Sequence, residues 1–358
     1  MITSEEYMER CITLALNGTG YVSPNPLVGC IIVKDDIILS EGYHHKYGEA
    51  HAERDAINKA NEKNIDLTGA TLYVNLEPCS HTGKTGSCAE LIVKNKLAKV
   101  IIGMQDPYHE VNGKGLQILQ DNNIEVETGV LEEKCKELNK FFIKFVTQHL
   151  PYVTLKVAQT LDGKIALSNY ESKWITGVTS RKYVRELRDM HDCVLVGYNT
   201  ALKDNPSLNV KYAEGRTPYR IIIDEKLMLP NDLNVFNDVD RERTIVFTKS
   251  LNVNPKVRTI NIEDNFSMES ILKELYKLEF NSVLVEGGSG IFSDFIENDL
   301  ADELILFIAP KIAGKGITMS EKFRIDSLNN VKKLKLEKIS NSGEDILLTY
   351  KFTYKFNR

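Results

Sequence analysis

Apolar and polar positions along this chain recur at two periods, that of a helix and that of a strand. Thr3 to Glu6 has the T-x-x-E form of a capping box, and Tyr7, Met8, Cys11, Ile12, Ala15 and Leu16 follow at helical spacing until Asn17-Gly18 stops them. This predicts an amphipathic first helix. Leu27 to Val33 and Ile37 to Gly42 are apolar runs on either side of Lys34-Asp35-Asp36 and predict paired strands. Helical spacing from Ala50 through Ala60 places His51 and Glu53 in the first turn of a helix. Strands at Thr71 to Val74 and Val100 to Met104 then alternate with helices at Ala89 to Lys96, Gly115 to Asp121 and Lys134 to Gln148.

Pro151 marks a boundary, after which the alternation starts again. Strands are predicted at Tyr152 to Ala158, Cys193 to Val196, Arg220 to Ile223, Thr244 to Phe247, Ser282 to Val285, Asp302 to Ala309 and Ile346 to Phe352, with helices at Ser180 to Met190, Met268 to Leu278 and Ile291 to Ile296. Strands alternating with helices predict α/β architecture with helices on both faces of a sheet. No internal repeat relates the halves, so two different domains are expected, residues 1–149 and 150–358.

Composition narrows the partners. The chain has 358 residues, 42% hydrophobic and 27% charged, ordinary for a globular protein and more than one core usually holds. A formal charge of -5 goes against a nucleic-acid groove, which needs a basic surface to neutralise phosphates. No signal pattern and no apolar run of spanning length occurs, so no membrane partner and a cytoplasmic location are expected. Of the six cysteines, Cys11, Cys30, Cys135 and Cys193 are expected as buried thiols in a reducing compartment.

Candidate chemistry centres on His51-Ala52-Glu53, answered by Pro78-Cys79 and Cys88. One imidazole and two thiolates suit Zn²⁺, and a three-ligand set leaves a tetrahedral position for water. Glu53, two residues past the histidine, can carry a proton from that water to a leaving amine. H-x-E followed by P-C-x-x-C is the signature of zinc deaminases; here the second half is stretched by the polar insert 80–87, at little cost in closure entropy. The plainer alternative, ordinary buried cysteines and a surface histidine, does not account for the order of the motifs. Pro24-Asn25-Pro26 reads from spacing alone as a turn into a strand.

A second site is suggested in the other half. Ser282 to Val285 leads into Glu286-Gly287-Gly288-Ser289-Gly290 and a helix, the arrangement that offers backbone N–H groups to a phosphate. The glycines do not complete G-x-G-x-x-G, and a tight turn explains them equally well. The bend in Ala158-Gln159-Thr160-Leu161-Asp162-Gly163-Lys164 and the only tryptophan, in Ser172-Lys173-Trp174-Ile175-Thr176-Gly177, add to it, as do the charges of Arg188, Asp204 and Lys211.

Together these residues resemble the bifunctional riboflavin-biosynthesis deaminase/reductase family over almost the whole chain. Pro24 to Gly29, His51-Ala52-Glu53 and Asn75-Leu76-Glu77-Pro78-Cys79 with a distant Cys88 resemble its N-terminal pyrimidine deaminase domain. Leu155 to Lys164, Trp174 to Gly177, Asp192 to Gly197, Thr200 to Leu208 and Glu286 to Gly288 resemble its reductase domain. The resemblance implies a cytidine-deaminase-like three-layer α/β/α domain and a dihydrofolate-reductase-like α/β domain. It implies zinc-dependent deamination of 2,5-diamino-6-(5-phosphoribosylamino)pyrimidin-4(3H)-one, then NADPH-dependent reduction of the ribosyl chain of the resulting uracil.

By the same resemblance, Asn25, His44 or His45, His81 and Lys84 would meet the ring or the ribose phosphate of the pyrimidine substrate. Ala158, Trp174, Thr200, Asp204, Gly288, Ser289 and Gly290 would line NADPH, while Ser172, Arg188, Leu208, Lys211 and Glu286 would meet the second substrate. Lys211 stands where the family usually has arginine, giving up the bidentate fork; Arg185 replaces a common histidine, and Gly86-Ser87 two common prolines. A homo-oligomer is expected, of unspecified size. The alternatives are a pyrimidine deaminase whose C-terminal half is a non-catalytic binding or oligomerisation module, and a nucleic-acid-editing deaminase, against which the acidic balance counts.

Overall fold

The computed structural model describes residues 2–80, 86–108, 113–210 and 216–354, in two compact units, Met1–His149 and Leu150–Arg358. In the first, Thr3 caps α1 (Ser4–Ala15): Glu6 N donates to Thr3 Oγ1 at 3.3 Å, and Thr3 N donates to the Glu6 carboxylate at 2.8 Å. The helix buries Tyr7, Met8, Cys11 and Ala15.

Five strands follow: β1 (Gly29–Lys34), β2 (Ile37–Tyr43), β3 (Thr71–Leu76), β4 (Lys99–Met104) and β5 (Glu125–Thr128), in the order β2-β1-β3-β4-β5. β1 is antiparallel to β2 and β3, and β3, β4 and β5 run parallel. The helices between them are α2 (Ala52–Glu62), α3 (Cys88–Lys94) and α4 (Lys114–Asp121), with α5 (Glu132–Leu138) and α6 (Lys140–Gln148) after β5.

Glycines show which face each helix takes. A Cβ on Gly29 would lie 2.1 Å from Cys11 O of α1, and one on Gly42 would lie 2.4 Å from Ala52 O and Ala56 N of α2. Gly42 pairs with Cys30, the neighbour of Gly29, so α1 and α2 cover opposite faces. The result is a three-layer α/β/α unit. Only glycine lets β2 approach the backbone of the helix that carries His51 and Glu53. Gly42→Ala is therefore expected to cost about 1–3 kcal/mol by overpacking, read as a lower urea midpoint; an unchanged midpoint would contradict this contact.

The second unit begins with β6 (Tyr152–Thr160) and the short β7 (Ala166–Leu167), then α7 (Val178–Met190), β8 (Cys193–Gly197), α8 (Tyr198–Asp204) and β9 (Tyr219–Ile223). It continues with α9 (Asn234–Asn237), β10 (Thr244–Thr248), β11 (Arg258–Asn261), α10 (Met268–Lys277), β12 (Ser282–Val285), α11 (Ser289–Glu297), β13 (Glu303–Ala309), β14 (Gly316–Ile317), β15 (Leu334–Ser342) and β16 (Asp345–Phe352). Nine strands form one sheet in the order β11-β10-β9-β8-β12-β6-β13-β16-β15, and β7 pairs with β14. The strands from β11 to β13 are parallel; β16 and β15 add an antiparallel edge.

β8 is buried throughout, as a sheet covered on both faces requires. β12 inserts between β8 and β6, so the loops after β8 and β12 open side by side at the carboxyl ends of the strands. That is where parallel sheets bind ligands.

Three expectations from the sequence need correction. His51 is the N-cap of α2, with extended φ and ψ, rather than part of its first turn. The helix expected over Lys134 to Gln148 is two, interrupted at Asn139, whose side chain is drawn to Leu27. α8, α9, β5, β7, β11, β14 and β15 had no counterpart in the reading; β5 and β15 are largely exposed edge strands, so few of their apolar positions are buried.

Candidate active sites

Two turns bring the metal donors of the first unit together. His51 ends the extended segment before α2, while Cys79 follows β3 and Cys88 opens α3. His51 Nδ1 lies 3.5 Å from Cys79 Sγ and 3.6 Å from Cys88 Sγ, and the three donor atoms lie within 4.8 Å of one another. On a tetrahedral zinc, nitrogen at about 2.0 Å and sulfur at about 2.3 Å lie roughly 3.6 Å apart. The donor set and its spacing fit zinc.

The electrostatics agree. Cys88 N donates to Cys79 Sγ at 3.4 Å. Hydrogen bonding from Cys88, then from His51, outweighs burial and holds the Cys79 thiol at a pKa of about 4. Cys88, facing that thiolate and buried, is pushed well up. Glu53, in the first turn of α2, is 3% exposed; burial, then the charge of Cys79, raises its carboxyl to about 7, where a proton can be both taken and given near neutrality.

His44 and Asn25 form a rigid pair beside His51. His44 Nδ1 lies 3.0 Å from Ala50 O, and its Nε2 lies 3.2 Å from Asn25 Nδ2. A carbonyl only accepts, so Nδ1 carries the proton and Nε2 accepts from Asn25. Burial lowers the His44 pKa, consistent with a neutral ring. One N–H of the Asn25 amide is thereby committed, which leaves its second N–H and its oxygen to offer a ligand.

Asn75 and Asn139 hold this loop from below. Asn75 accepts from Gly29 N at 2.7 Å and donates to Leu27 O at 2.9 Å; Asn139 accepts from Leu27 N at 2.8 Å and donates to Leu27 O at 3.0 Å. The role of Asn139 was missed in the sequence, 112 positions from its partner. His81 and Lys84 lie outside the described residues, as does Lys211 of the second unit.

In the second unit a cavity of about 1050 Å³ opens at the carboxyl ends of β6, β8, β9 and β12. Ala158, Trp174, Thr200 and Asp204 line it, together with Gly288, Ser289 and Gly290. Ser172, Arg188, Leu208 and Glu286 line it as well. Ser172 Oγ donates to Asp204 at 3.0 Å. Trp174 is 66% exposed, with the Arg181 guanidinium 4.3 Å from its ring centroid.

Glu286 anchors the cavity floor. Its carboxylate takes a bidentate pair from Arg188 at 2.5 and 3.0 Å and a third bond from Lys156 Nζ at 3.0 Å. Burial works to raise its pKa, but the charges of Arg188 and Lys156 outweigh this and hold it at about 2. Lys156 also lines the cavity, and sequence reasoning missed it; a lysine inside a predicted apolar strand was the available signal.

The turn after β12 fits a dinucleotide phosphate. Gly288 is the N-cap of α11 and no side chain caps the helix, so backbone donors of the first turn are open to an anion. A Cβ on Gly287 would meet Ile291 at 2.7 Å, so glycine lets the helix start close against the strand. The volume and this cradle fit NADPH.

Residues 1–104 match the family model described as the cytidine and deoxycytidylate deaminase zinc-binding region, and residues 151–348 match the RibD C-terminal domain. The chain is 40% identical over 353 residues to the riboflavin biosynthesis protein RibD of Aquifex aeolicus, covering 97% of this chain and 98% of that protein. It is 35% identical over 367 residues to RibD of Escherichia coli, covering 96% and 98%. Among solved structures, it resembles the diaminohydroxyphosphoribosylaminopyrimidine deaminase/5-amino-6-(5-phosphoribosylamino)uracil reductase of Thermotoga maritima, with a TM-score of 0.92, 43% identity and coverage of 98% and 99%. RibD of Acinetobacter baumannii follows with a TM-score of 0.88, 34% identity and the same coverage.

Proposed function

This chain belongs to the RibD family, the bifunctional zinc-dependent deaminase and NADPH-dependent reductase of riboflavin biosynthesis, and on that premise we propose which of its residues carry each reaction. Residues 1–149 form the deaminase and 150–358 the reductase. The first substrate is the diamino-pyrimidinone bearing a phosphoribosylamino chain, and the second is its uracil product, as named for the Thermotoga maritima enzyme. The observation that carries the reading is the convergence of His51, Cys79 and Cys88 beside the buried Glu53.

Zinc held by His51, Cys79 and Cys88 supplies the Lewis acidity that makes water nucleophilic near neutral pH. Glu53 accepts the proton of the attacking water and delivers it to the departing ammonia, as the C–O bond forms and the C–N bond breaks. His44 fixes the orientation of the Asn25 amide, so that Asn25 meets the pyrimidine with its oxygen and its second N–H. The family resemblance gives His81 and Lys84 as further contacts of the same substrate.

NADPH supplies hydride to the ribosyl carbon. Ala158, Trp174, Thr200, Asp204 and the Gly288-Ser289-Gly290 turn hold the dinucleotide. Ser172, Arg188, Leu208, Lys211 and Glu286 hold the phosphoribosyl substrate, with Lys156 bonding the same Glu286 oxygen as Arg188 Nη2.

Small molecules are thus the partners. Among the described residues no helix is long and apolar enough to cross a membrane. The free buried thiols Cys11, Cys30, Cys135 and Cys193 support a cytoplasmic location. Exposed Leu336 and Ile339 on the edge strand β15 support a homo-oligomer.

A split assay tests the assignment. His51→Ala is expected to abolish ammonia release from the diamino-pyrimidinone, yet to oxidise NADPH at the wild-type rate when given the deaminated uracil. Wild-type protein that released ammonia but oxidised no NADPH with that uracil would leave the C-terminal half a non-catalytic module.

A further inference from the structure

Two separate stretches wall the second cavity. One is the loop before α7, from which Ser172, Trp174, Ile175 and Thr176 line it. The other is the pair of loops joined by β7 and β14, which contributes Ile165, Ala166 and Ile317. This second wall is firm. Leu161 N donates to Lys311 O at 2.8 Å and Ile165 N to Ile317 O at 2.9 Å, while the Asp162 carboxylate accepts from Ala313 N at 3.0 Å and Gly314 N at 2.7 Å. The backbone at Lys311, two residues past the end of β13, is therefore fixed to the end of β6.

Side chains hold the Trp174 loop. Lys311 Nζ donates to Trp174 O at 2.8 Å and to Ile175 O at 2.7 Å, and Arg181 Nη1 donates to Thr176 O at 2.6 Å. Three successive carbonyls thus each accept from a cation, and hydrogen bonds of that kind are stronger than neutral ones. At the far end Gly177 N donates to the Asp345 carboxylate at 2.8 Å. The hold matters because Trp174 has a φ of +66°, in the left-handed region that a residue with a Cβ enters only at a cost. Its indole is exposed, so burial does not fix that conformation.

We infer that Lys311 is a positioning residue for the cofactor: its ammonium ties the Trp174 loop to the β7–β14 wall and keeps the indole where the dinucleotide meets it. This rests on the reading of the cavity as an NADPH site with Trp174 in contact with the cofactor. Lys311 itself is not among the residues that line the cavity, and it acts through the loop, 137 positions earlier in the chain. Without its two bonds the loop leaves the bound-like conformation part of the time. A site that is only partly populated binds with an affinity reduced by that fraction. The effect therefore falls on NADPH affinity and not on hydride transfer.

The test compares wild type, Lys311→Met and Lys311→Arg in the full chain. With the deaminated uracil as substrate, Lys311→Met is expected to raise KM for NADPH about five- to tenfold and to change kcat less than about twofold. In the protein without cofactor, the emission anisotropy of Trp174, the only tryptophan, should fall in Lys311→Met and return when NADP⁺ saturates it. Lys311→Arg, whose guanidinium can donate to the same carbonyls, should keep both readouts near wild type. Unchanged anisotropy and KM in Lys311→Met, or a kcat that falls together with the urea midpoint at constant KM, would overturn the inference while leaving the NADPH site standing. Failure of the wild type to bind NADP⁺ would overturn both.

Discussion

Glu53→Gln is expected to slow deamination by about 10²–10⁴-fold while the protein keeps its zinc and its reductase reaction. The substitution changes no metal donor, since the donors are His51, Cys79 and Cys88. It also leaves no cavity, because the amide has the shape of the carboxylic acid it replaces at a position 3% exposed. What is lost is one proton-transfer group between water and ammonia. Ammonia release, metal content and NADPH oxidation with deaminated substrate separate these effects. A variant that deaminates at the wild-type rate would remove Glu53 from the mechanism.

Removal of the Glu286 side chain is expected to have the largest effect on stability. Glu286→Ala leaves Arg188 and Lys156 facing each other at side-chain exposures of 17% and 15%. Breaking a buried pair from one side costs about 3–5 kcal/mol, because the remaining charge is unpaired in a poorly solvated place. The variant should unfold at much lower urea concentration and lose reductase activity.

The pH dependence follows from the same carboxylate. Its folded pKa of about 2 lies below the ordinary value of 4.5, so its contribution is fully present above the ordinary value and is lost as pH falls from there through about 2. Glu286→Gln should flatten that part of the acid stability curve. Equal stability of wild type and both variants from neutrality downward would contradict the buried ion cluster.

Much of the deaminase site was legible because its chemistry sits in short local patterns. H-x-E places a ligand and a proton carrier at one helix start, and P-C marks the end of a strand. β12 was read with its observed ends, since Ser282 to Val285 is a buried run bounded by polar residues. The residues that support the sites were not legible, because their contacts are distant in sequence. Asn139 breaks a helical pattern in order to hold Leu27, and nothing near Asn139 announces that partner. Lys156 sits in an otherwise apolar strand and gains meaning only when β12 brings Glu286 alongside. His51 was assigned to a helical turn because periodicity cannot distinguish an N-cap from the first residue inside. β15 is a strand because β16 pairs with it, not because its Lys- and Glu-rich sequence alternates.

X-ray absorption at the zinc edge of the purified chain tests the central claim, that His51, Cys79 and Cys88 converge on one ion. The expected spectrum has two sulfur scatterers at about 2.3 Å, with a histidine nitrogen and one further light atom at about 2.0–2.1 Å. A zinc shell without sulfur, one with four sulfurs, or a protein that retains no zinc would contradict it.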